Sequence, residues 1–238
     1  MSGSNVSCFG QSNGSALVSI SGGSGNYSIS WSNGINTSSN FGLGVGTYTV
    51  NVIDNVSGCS VNGAYVVSAP SPVSNSGIIA NVNCFGGSTG GVNITPLGGT
   101  PPYSYVWSNG ITSEDQSSIP AGTYQVTITD ANGCLKLDSI ELTEPQFPIA
   151  YSFTTTHVTC RDGNNGTIDL TVTGGTPLYT YTWSNASSNA LNDSLTAGIY
   201  SFLVTDANGC TAADSMTIYQ PAALTINELI TPVTCYGL

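Results

Sequence analysis

Between residues 91 and 143, apolar and polar side chains alternate in four short runs, each cut off by glycine, proline or an Asn-Gly pair. Gly91-Val92-Asn93-Ile94-Thr95 is the first and breaks at Gly98-Gly99-Thr100-Pro101-Pro102. Tyr103-Ser104-Tyr105-Val106-Trp107 stops at Ser108-Asn109-Gly110, and Tyr124-Gln125-Val126-Thr127-Ile128-Thr129 turns at Asp130-Ala131-Asn132-Gly133. A last run lies near residues 136–143, ahead of Glu144-Pro145. A period of two sends successive side chains to opposite faces, and the β-branched and aromatic residues here suit a pleated, half-buried surface. No stretch sustains a 3.6-residue period with caps, so almost no helix is predicted.

The same pattern is written three times. Trp31, Trp107 and Trp183 are 76 residues apart, as are Asp54, Asp130 and Asp206. Cys8, Cys84, Cys160 and Cys235 follow at spacings of 76, 76 and 75. A fixed period of this length marks a serial array of small units rather than one large core. The boundaries read as repeat 1 over residues 1–70, repeat 2 over 71–145, repeat 3 over 146–221 and the start of a fourth over 222–238. The tail Val233-Thr234-Cys235-Tyr236-Gly237 repeats the phase of Val6-Ser7-Cys8-Phe9-Gly10, so the chain reads as an excerpt of a longer array. Units this small have a marginal hydrophobic core.

Three features narrow the sandwich type. Trp31, Trp107 and Trp183 end the third strand, where immunoglobulin-like domains bury a central aromatic. Tyr48, Tyr124 and Tyr200 follow a Gly corner at the start of the penultimate strand, the place of a tyrosine corner. Asn-Gly at 33–34 and 109–110 supplies positive φ for a tight turn, and Asn185-Ala186 in repeat 3 predicts a longer or strained one. The expected fold is all-β: three tandem immunoglobulin-like antiparallel β-sandwiches forming an extended rod, with these Trp and Tyr residues as structural core.

The segments from Pro70 to Cys84, Pro145 to Cys160 and Pro221 to Cys235 read as first strands of the repeat that follows. Repeat 1, read from Asn5, then lacks its own, and the tail is a spare strand carrying Leu224, Ile226, Leu229 and Ile230. Bare edges invite pairing, so head-to-tail strand exchange with another copy is one expectation. Alternatively, the segment closes the preceding repeat and all three repeats are complete.

Lys136 and Arg161 are the two bases against 13 acids, for a net charge of −11, which excludes electrostatic binding to nucleic acid or anionic membrane. Neither a signal peptide nor a membrane span is evident, and Met1-Ser2-Gly3-Ser4 reads as a trimmed start. Catalysis is not expected. His157 is the lone histidine, with Asn5 and Asn81 at its equivalent positions, and neither paired carboxylates nor a nucleophile with its base recur. No cofactor is implied. Asp54, Asp130 and Asp206 could each give Ca²⁺ an oxygen, but one carboxylate per turn is far from the six to eight oxygens it takes. A turn-capping role accounts for them.

The seven cysteines fall into an early class (Cys8, Cys84, Cys160, Cys235) and a late class (Cys59, Cys134, Cys210). The absence of CxxC spacing argues against zinc. Three arrangements are open: Cys8–Cys59, Cys84–Cys134 and Cys160–Cys210 within repeats; Cys8–Cys134 and Cys84–Cys210 between neighbours; or buried thiols. The topology weighs against the first, because the early Cys lies near the loop between the first two strands and the late one follows the hairpin at the opposite end.

The unit resembles the SprB repeat of surface adhesins of gliding Bacteroidota. The residues that carry the resemblance are Val82-Asn83-Cys84-Phe85-Gly86-Gly87, Gly98-Gly99-Thr100-Pro101-Pro102-Tyr103, Trp107-Ser108-Asn109-Gly110, Ala121-Gly122-Thr123-Tyr124 and Thr129-Asp130-Ala131-Asn132-Gly133-Cys134. Repeat 1 departs most, with Ser24-Gly25-Asn26 in place of Thr-Pro and one extra residue in Asp54-Asn55-Val56-Ser57-Gly58-Cys59. The resemblance implies export by the type 9 route and extracellular display as a surface filament in gliding and attachment. Its partners would be neighbouring repeats of the same adhesin. Asp138-Ser139-Ile140, Asp193-Ser194-Leu195 and Asp214-Ser215-Met216 match the pattern Bacteroidota use for O-glycosylation, making Ser139, Ser194 and Ser215 candidate acceptors. The alternative function is direct binding of a surface polysaccharide through Tyr27, Tyr103 and Tyr179 beside the Gly-rich loop.

Overall fold

The computed structural model describes residues 1–230, and every helix or strand among them is a strand. Repeat 1 holds β1 (Ser2–Ser4), β2 (Gly14–Leu17), β3 (Tyr27–Trp31), β4 (Ser39–Leu43), β5 (Gly46–Asp54) and β6 (Ser60–Val67). Repeat 2 holds β7 (Ser74–Ala80), β8 (Gly90–Leu97), β9 (Ser104–Trp107), β10 (Gln116–Ile119), β11 (Gly122–Thr129) and β12 (Leu135–Leu142). Repeat 3 holds β13 (Ala150–Thr156), β14 (Gly166–Thr173), β15 (Thr180–Trp183), β16 (Leu191–Leu195), β17 (Gly198–Thr205) and β18 (Thr211–Ile218).

In each repeat the first, second and fourth strands form one antiparallel sheet, and the third, fifth and sixth form the other. This division, with the last two strands joined by a hairpin, is the immunoglobulin-like sandwich. The alternation read from the sequence sets its inner faces. Tyr124, Val126 and Ile128 of β11 point inward with Val92, Ile94, Trp107 and Leu142. Each Trp is 2% exposed, and its indole N–H is bonded to a backbone carbonyl six residues on, Thr37, Ser113 or Asn189, each at 2.9 Å. The Tyr48, Tyr124 and Tyr200 hydroxyls donate to the carbonyls of Gly44, Pro120 and Thr196, four residues upstream. These are tyrosine corners that pin the turn into the fifth strand.

The linker segments belong to the repeat that follows them. β7 pairs with β8 from Ser74↔Leu97 to Ala80↔Gly91, and β13 pairs with β14 in the same way. Repeat 1 does have a first strand of its own: β1 pairs Ser2↔Leu17 to Ser4↔Ser15, in the register of β7 on β8. It was hidden because Ser2-Gly3-Ser4 carries no apolar side chain, and ladder bonds need none. Of the tail read as the start of a fourth repeat, residues 222–230 are exposed and lie in no strand, and 231–238 fall outside the described residues.

The sequence pattern also missed the fourth strand of each repeat. Its first inward residue is an amide, Asn40, Gln116 or Asn192, and a residue at positive φ (Gly42, Ser118, Ser194) makes its pairing irregular before the apolar Leu43, Ile119 or Leu195 that packs on the core. Each amide bonds that of Asn33, Asn109 or Asn185 in the turn after the Trp strand. That turn takes one positive φ, at Gly34, Gly110 or Ala186. In repeat 3 it keeps the same closure (Ala186 N–H to Trp183 O, Trp183 N–H to Ser187 O) and is therefore strained rather than longer, at a cost of about 1 kcal/mol.

The chain forms two compact bodies. One comprises Met1–Asn81 with Ser88–Thr143, and the other joins Val82–Gly87 to the described chain from Glu144 on.

Candidate functional site: the bonded loops and hairpins

The site begins with one aspartate per repeat at the hairpin between the last two strands. Asp130 Oδ1 accepts the N–H groups of Asn132 and Cys134 at 2.9 and 2.8 Å, and Oδ2 accepts the Thr100 N–H at 2.8 Å. Asp206 repeats this with Asn208, Cys210 and Thr176. Asp54 takes Val56, Ser57 and both the N–H and hydroxyl of Ser24. One carboxylate thus caps the hairpin and clamps the Gly-Gly loop opposite. Burial pushes the Asp130 and Asp206 carboxyls up, but the N–H donors outweigh it and hold both below the usual range. Asp54 is held further down, by the Ser24 backbone N–H, the Ser24 hydroxyl and then the Val56 and Ser57 N–H groups.

The glycines facing these carboxylates have no substitute. Gly99 and Gly175 sit at φ 61° and 58°, and an added Cβ would lie 2.8 or 2.7 Å from Asp130 or Asp206 Oδ2. The Tyr27, Tyr103 and Tyr179 hydroxyls donate to the carbonyls of Gly22, Gly98 and Gly174 in the same loops, and their half-buried rings pack on the cores.

On the capped hairpins of repeats 2 and 3, two side chains reach the loop between the first and second strands of the preceding repeat. In the first body Cys134 is bonded to Cys8 (S–S 2.02 Å, Cα–Cα 5.6 Å), and Asn132 Nδ2 donates to the Ser7 carbonyl at 3.3 Å. In the second, Cys210 is bonded to Cys84 (2.04 and 5.7 Å), and Asn208 Nδ2 donates to the Asn83 carbonyl at 3.0 Å. Hence loop 82–87 groups with repeat 3 while its flanks group with repeat 2. The pairs Cys8–Cys59, Cys84–Cys134 and Cys160–Cys210 do not form. Within one repeat the early loop and the late hairpin stand at opposite ends of the sandwich, beyond the reach of a disulfide. Cys59 and Cys160 are exposed thiols, and Cys235 lies outside the described residues.

The base of each loop is anchored alike. Asn5 and Asn81 Oδ1 accept the N–H groups of Ser68 and Thr143 at 3.0 Å, and His157 Nδ1 accepts the Tyr219 N–H at 3.4 Å with its ring edge-on to Tyr219. The lone histidine therefore stands in for an asparagine. Among the described residues, no group of three or more His, Cys, Asp or Glu could hold a metal ion. Ser139 on β12 and Ser215 on β18 are exposed on edge strands, and Ser194 is exposed at the positive-φ position of β16. The anchoring residues Asn132 and Asn208 went unnoticed in the sequence as junction donors. Their only signal was an Asn two places after the Asp in the two hairpins that pair, and Val56 in the one that does not.

The chain covers 82% of itself on the N-terminal eight Ig domains of Down Syndrome Cell Adhesion Molecule, at 14% identity and a TM-score of 0.42, and spans about a third (33%) of that chain. It covers 82% of itself and 86% of extracellular domains 3–5 of Drosophila OTK, at 11% identity and a TM-score of 0.35. For surface layer protein SbsC, domains 1–6, the values are 83% and 35%, 13% and 0.32. The immunoglobulin-like assignment rests on the strand order and the Trp–Tyr core described above. No curated protein sequence matches the chain. The SprB repeat model matches three times, at residues 3–36, 76–112 and 152–188, each match running from the first strand past the buried Trp, so the chain carries three segments that match the SprB repeat.

Proposed function

We propose that these repeats are a structural segment of a secreted cell-surface adhesin filament, exported by the type 9 route and serving gliding motility and attachment. The three SprB repeat matches support the surface role, and two disulfides are at home in an oxidising, extracellular setting. The work is mechanical, with no catalytic step.

The observation that carries this reading is the overlap of the two disulfides. Cys8–Cys134 and Cys84–Cys210 close interleaved loops, so the shortest covalent path from Cys8 to Cys210 runs across to 134, back to 84 and across again. That path holds 50 residues instead of 202. Under tension, about 150 residues are withheld from extension, or about 500 Å at roughly 3.3–3.6 Å each. A tether built this way unfolds without paying out its full length. Direct polysaccharide binding through Tyr27, Tyr103 and Tyr179 draws no support, since these rings are half-buried and their hydroxyls engaged. Ser139, Ser194 and Ser215 are proposed O-glycan acceptors, a reading that an intact mass of native protein free of hexose increments would remove.

Single-molecule pulling on the oxidised chain, followed by reductant, tests the mechanical role. The expected result is a reduced chain that extends about 500 Å further; equal contour lengths would refute it. Antibody labelling of living cells tests the location: signal on intact cells is expected, and signal appearing only after permeabilisation would contradict it.

A further inference from the structure

Repeats 2 and 3 differ where the first and last strands face each other across the mouth of the sandwich. In repeat 3 the Tyr151 side chain of β13 crosses that mouth. Its ring packs edge-on to Phe202 with centroids 5.0 Å apart, and its hydroxyl donates to Asp214 Oδ2 on β18 at 2.7 Å. Counted by the 76-residue period, the places of Tyr151, Phe153 and Phe202 are held in repeat 2 by Asn75, Gly77 and Val126. A cleft of about 370 Å³ opens there between β7 and β12, lined in part by Asn75, Ile79, Ile94, Asp138, Ile140 and Glu141.

The acceptor for a hydroxyl is kept. Asp138 stands at the place of Asp214, and its Oδ1 accepts the Ser139 N–H at 3.0 Å as Asp214 Oδ1 accepts the Ser215 N–H at 2.7 Å. The second oxygen, which takes the tyrosine hydroxyl in repeat 3, has no hydrogen-bond partner among the described residues in repeat 2.

Beside the cleft, β7 is the edge of its sheet, bonded to β8 alone, and Ser74–Ala80 holds neither charge nor proline. Ile78 and Ile79 on it are 75 and 49% exposed. An edge of this kind accepts a further strand, whose backbone bonds give affinity while a side chain in an adjoining pocket gives specificity.

We propose that the cleft of repeat 2 receives a tyrosine side chain of another protein, carried on an extended segment that adds to the free edge of β7. The ring rests against Ile79 and Ile140, and the hydroxyl donates to Asp138 Oδ2 in a charge-assisted bond. Asp138 and Glu141 make the rim acidic, so basic residues flanking the tyrosine complement it. The same charge weighs against a second copy as the source, because the chain carries a net charge of −11 with Lys136 and Arg161 as its bases. Repeat 3 fills the equivalent place from within, through Tyr151. The inference is independent of the surface role proposed above.

The test is fluorescence anisotropy, with the intact, disulfide-bonded chain, Ser139 unmodified, titrated into a labelled seven-residue β-forming peptide that has a central tyrosine and a lysine at each end. Saturable binding is expected, and a peptide with phenylalanine at the centre should bind about fivefold more weakly. Asp138→Asn should weaken the tyrosine peptide by about the same factor and leave the phenylalanine peptide unchanged. Asn75→Tyr, which writes the repeat 3 residue into repeat 2, should weaken both peptides by about tenfold or more while its denaturant melt stays at or above that of the parent. Absence of binding by the tyrosine peptide overturns the proposal. So does equal affinity for the two peptides, or affinity that Asn75→Tyr leaves unchanged. N-acetyltyrosinamide binding as tightly as the peptide would make the cleft a pocket for small phenols without strand addition, and overturns it. Sedimentation of the chain alone, with a mass that grows with concentration and falls to monomer in Asn75→Tyr, would make a second copy the occupant and overturns it too.

Discussion

The hairpin of repeat 1 and those of repeats 2 and 3 share a cap and differ in what they reach. All three are closed by an aspartate that accepts two or more backbone N–H groups and holds the Gly-Gly loop. In repeats 2 and 3, the residue two places on is Asn132 or Asn208, bonded to a loop carbonyl beside a disulfide. In repeat 1 that place holds Val56, 73% exposed, and the following Cys59 is a free thiol. The aspartate therefore serves its own repeat, while the Asn and Cys serve the junction. Local stability and linkage between repeats are separable in this sequence.

The largest effect is expected in the core that both kinds of hairpin rest on. Trp107→Ala should cost about 3–5 kcal/mol, enough to unfold repeat 2, read as a separate early transition in a denaturant melt. Next comes the junction itself. Cys134→Ser should lower the stability of the repeat 1–repeat 2 body by about 2–4 kcal/mol, whereas Cys59→Ser should stay within about 0.5 kcal/mol. Equal effects in the two melts would erase the distinction between the hairpins.

The shared cap predicts a shared acid response. Asp130→Ala strands three N–H donors and should cost about 1–3 kcal/mol. The carboxyls of Asp54, Asp130 and Asp206 are held below their ordinary value when folded. Their contribution is therefore full above about pH 4, the unfolded value, and is lost as pH falls from there through the folded values. The unfolding midpoint should be flat from pH 5 to 7 and drop below about pH 4, with a shallower drop in Asp130→Ala. The smallest effect sharpens the comparison most finely. Asn132→Val, which writes the repeat 1 residue into repeat 2, should cost about 1 kcal/mol by calorimetry, and Val56→Asn should change nothing.

Strands with an apolar inner face could be read from the chain, because burial writes a period of two into residues such as Val92, Ile94, Val126 and Ile128. The fourth strands could not, since Asn40, Gln116 and Asn192 bury amides satisfied by a partner seven residues away. β1 could not, because its three residues contribute backbone alone. The capping of each hairpin by its aspartate was readable because the N–H groups it caps are two to four residues on, while its clamp on a loop 30 residues upstream and the bond of Asn132 to a carbonyl 125 residues away were not. Cysteine pairing stayed open for the same reason: both partners recur with the period, so spacing cannot tell a mate within the repeat from one in the next.

Peptide mapping of the oxidised protein without reduction would decide the linkage between repeats. Cross-linked peptides joining Cys8 to Cys134 and Cys84 to Cys210, with Cys59 and Cys160 recovered as thiols, are the predicted result. Recovery of Cys8 with Cys59, Cys84 with Cys134 or Cys160 with Cys210 would contradict it, and would return each repeat to a self-contained module with no covalent hold on its neighbour.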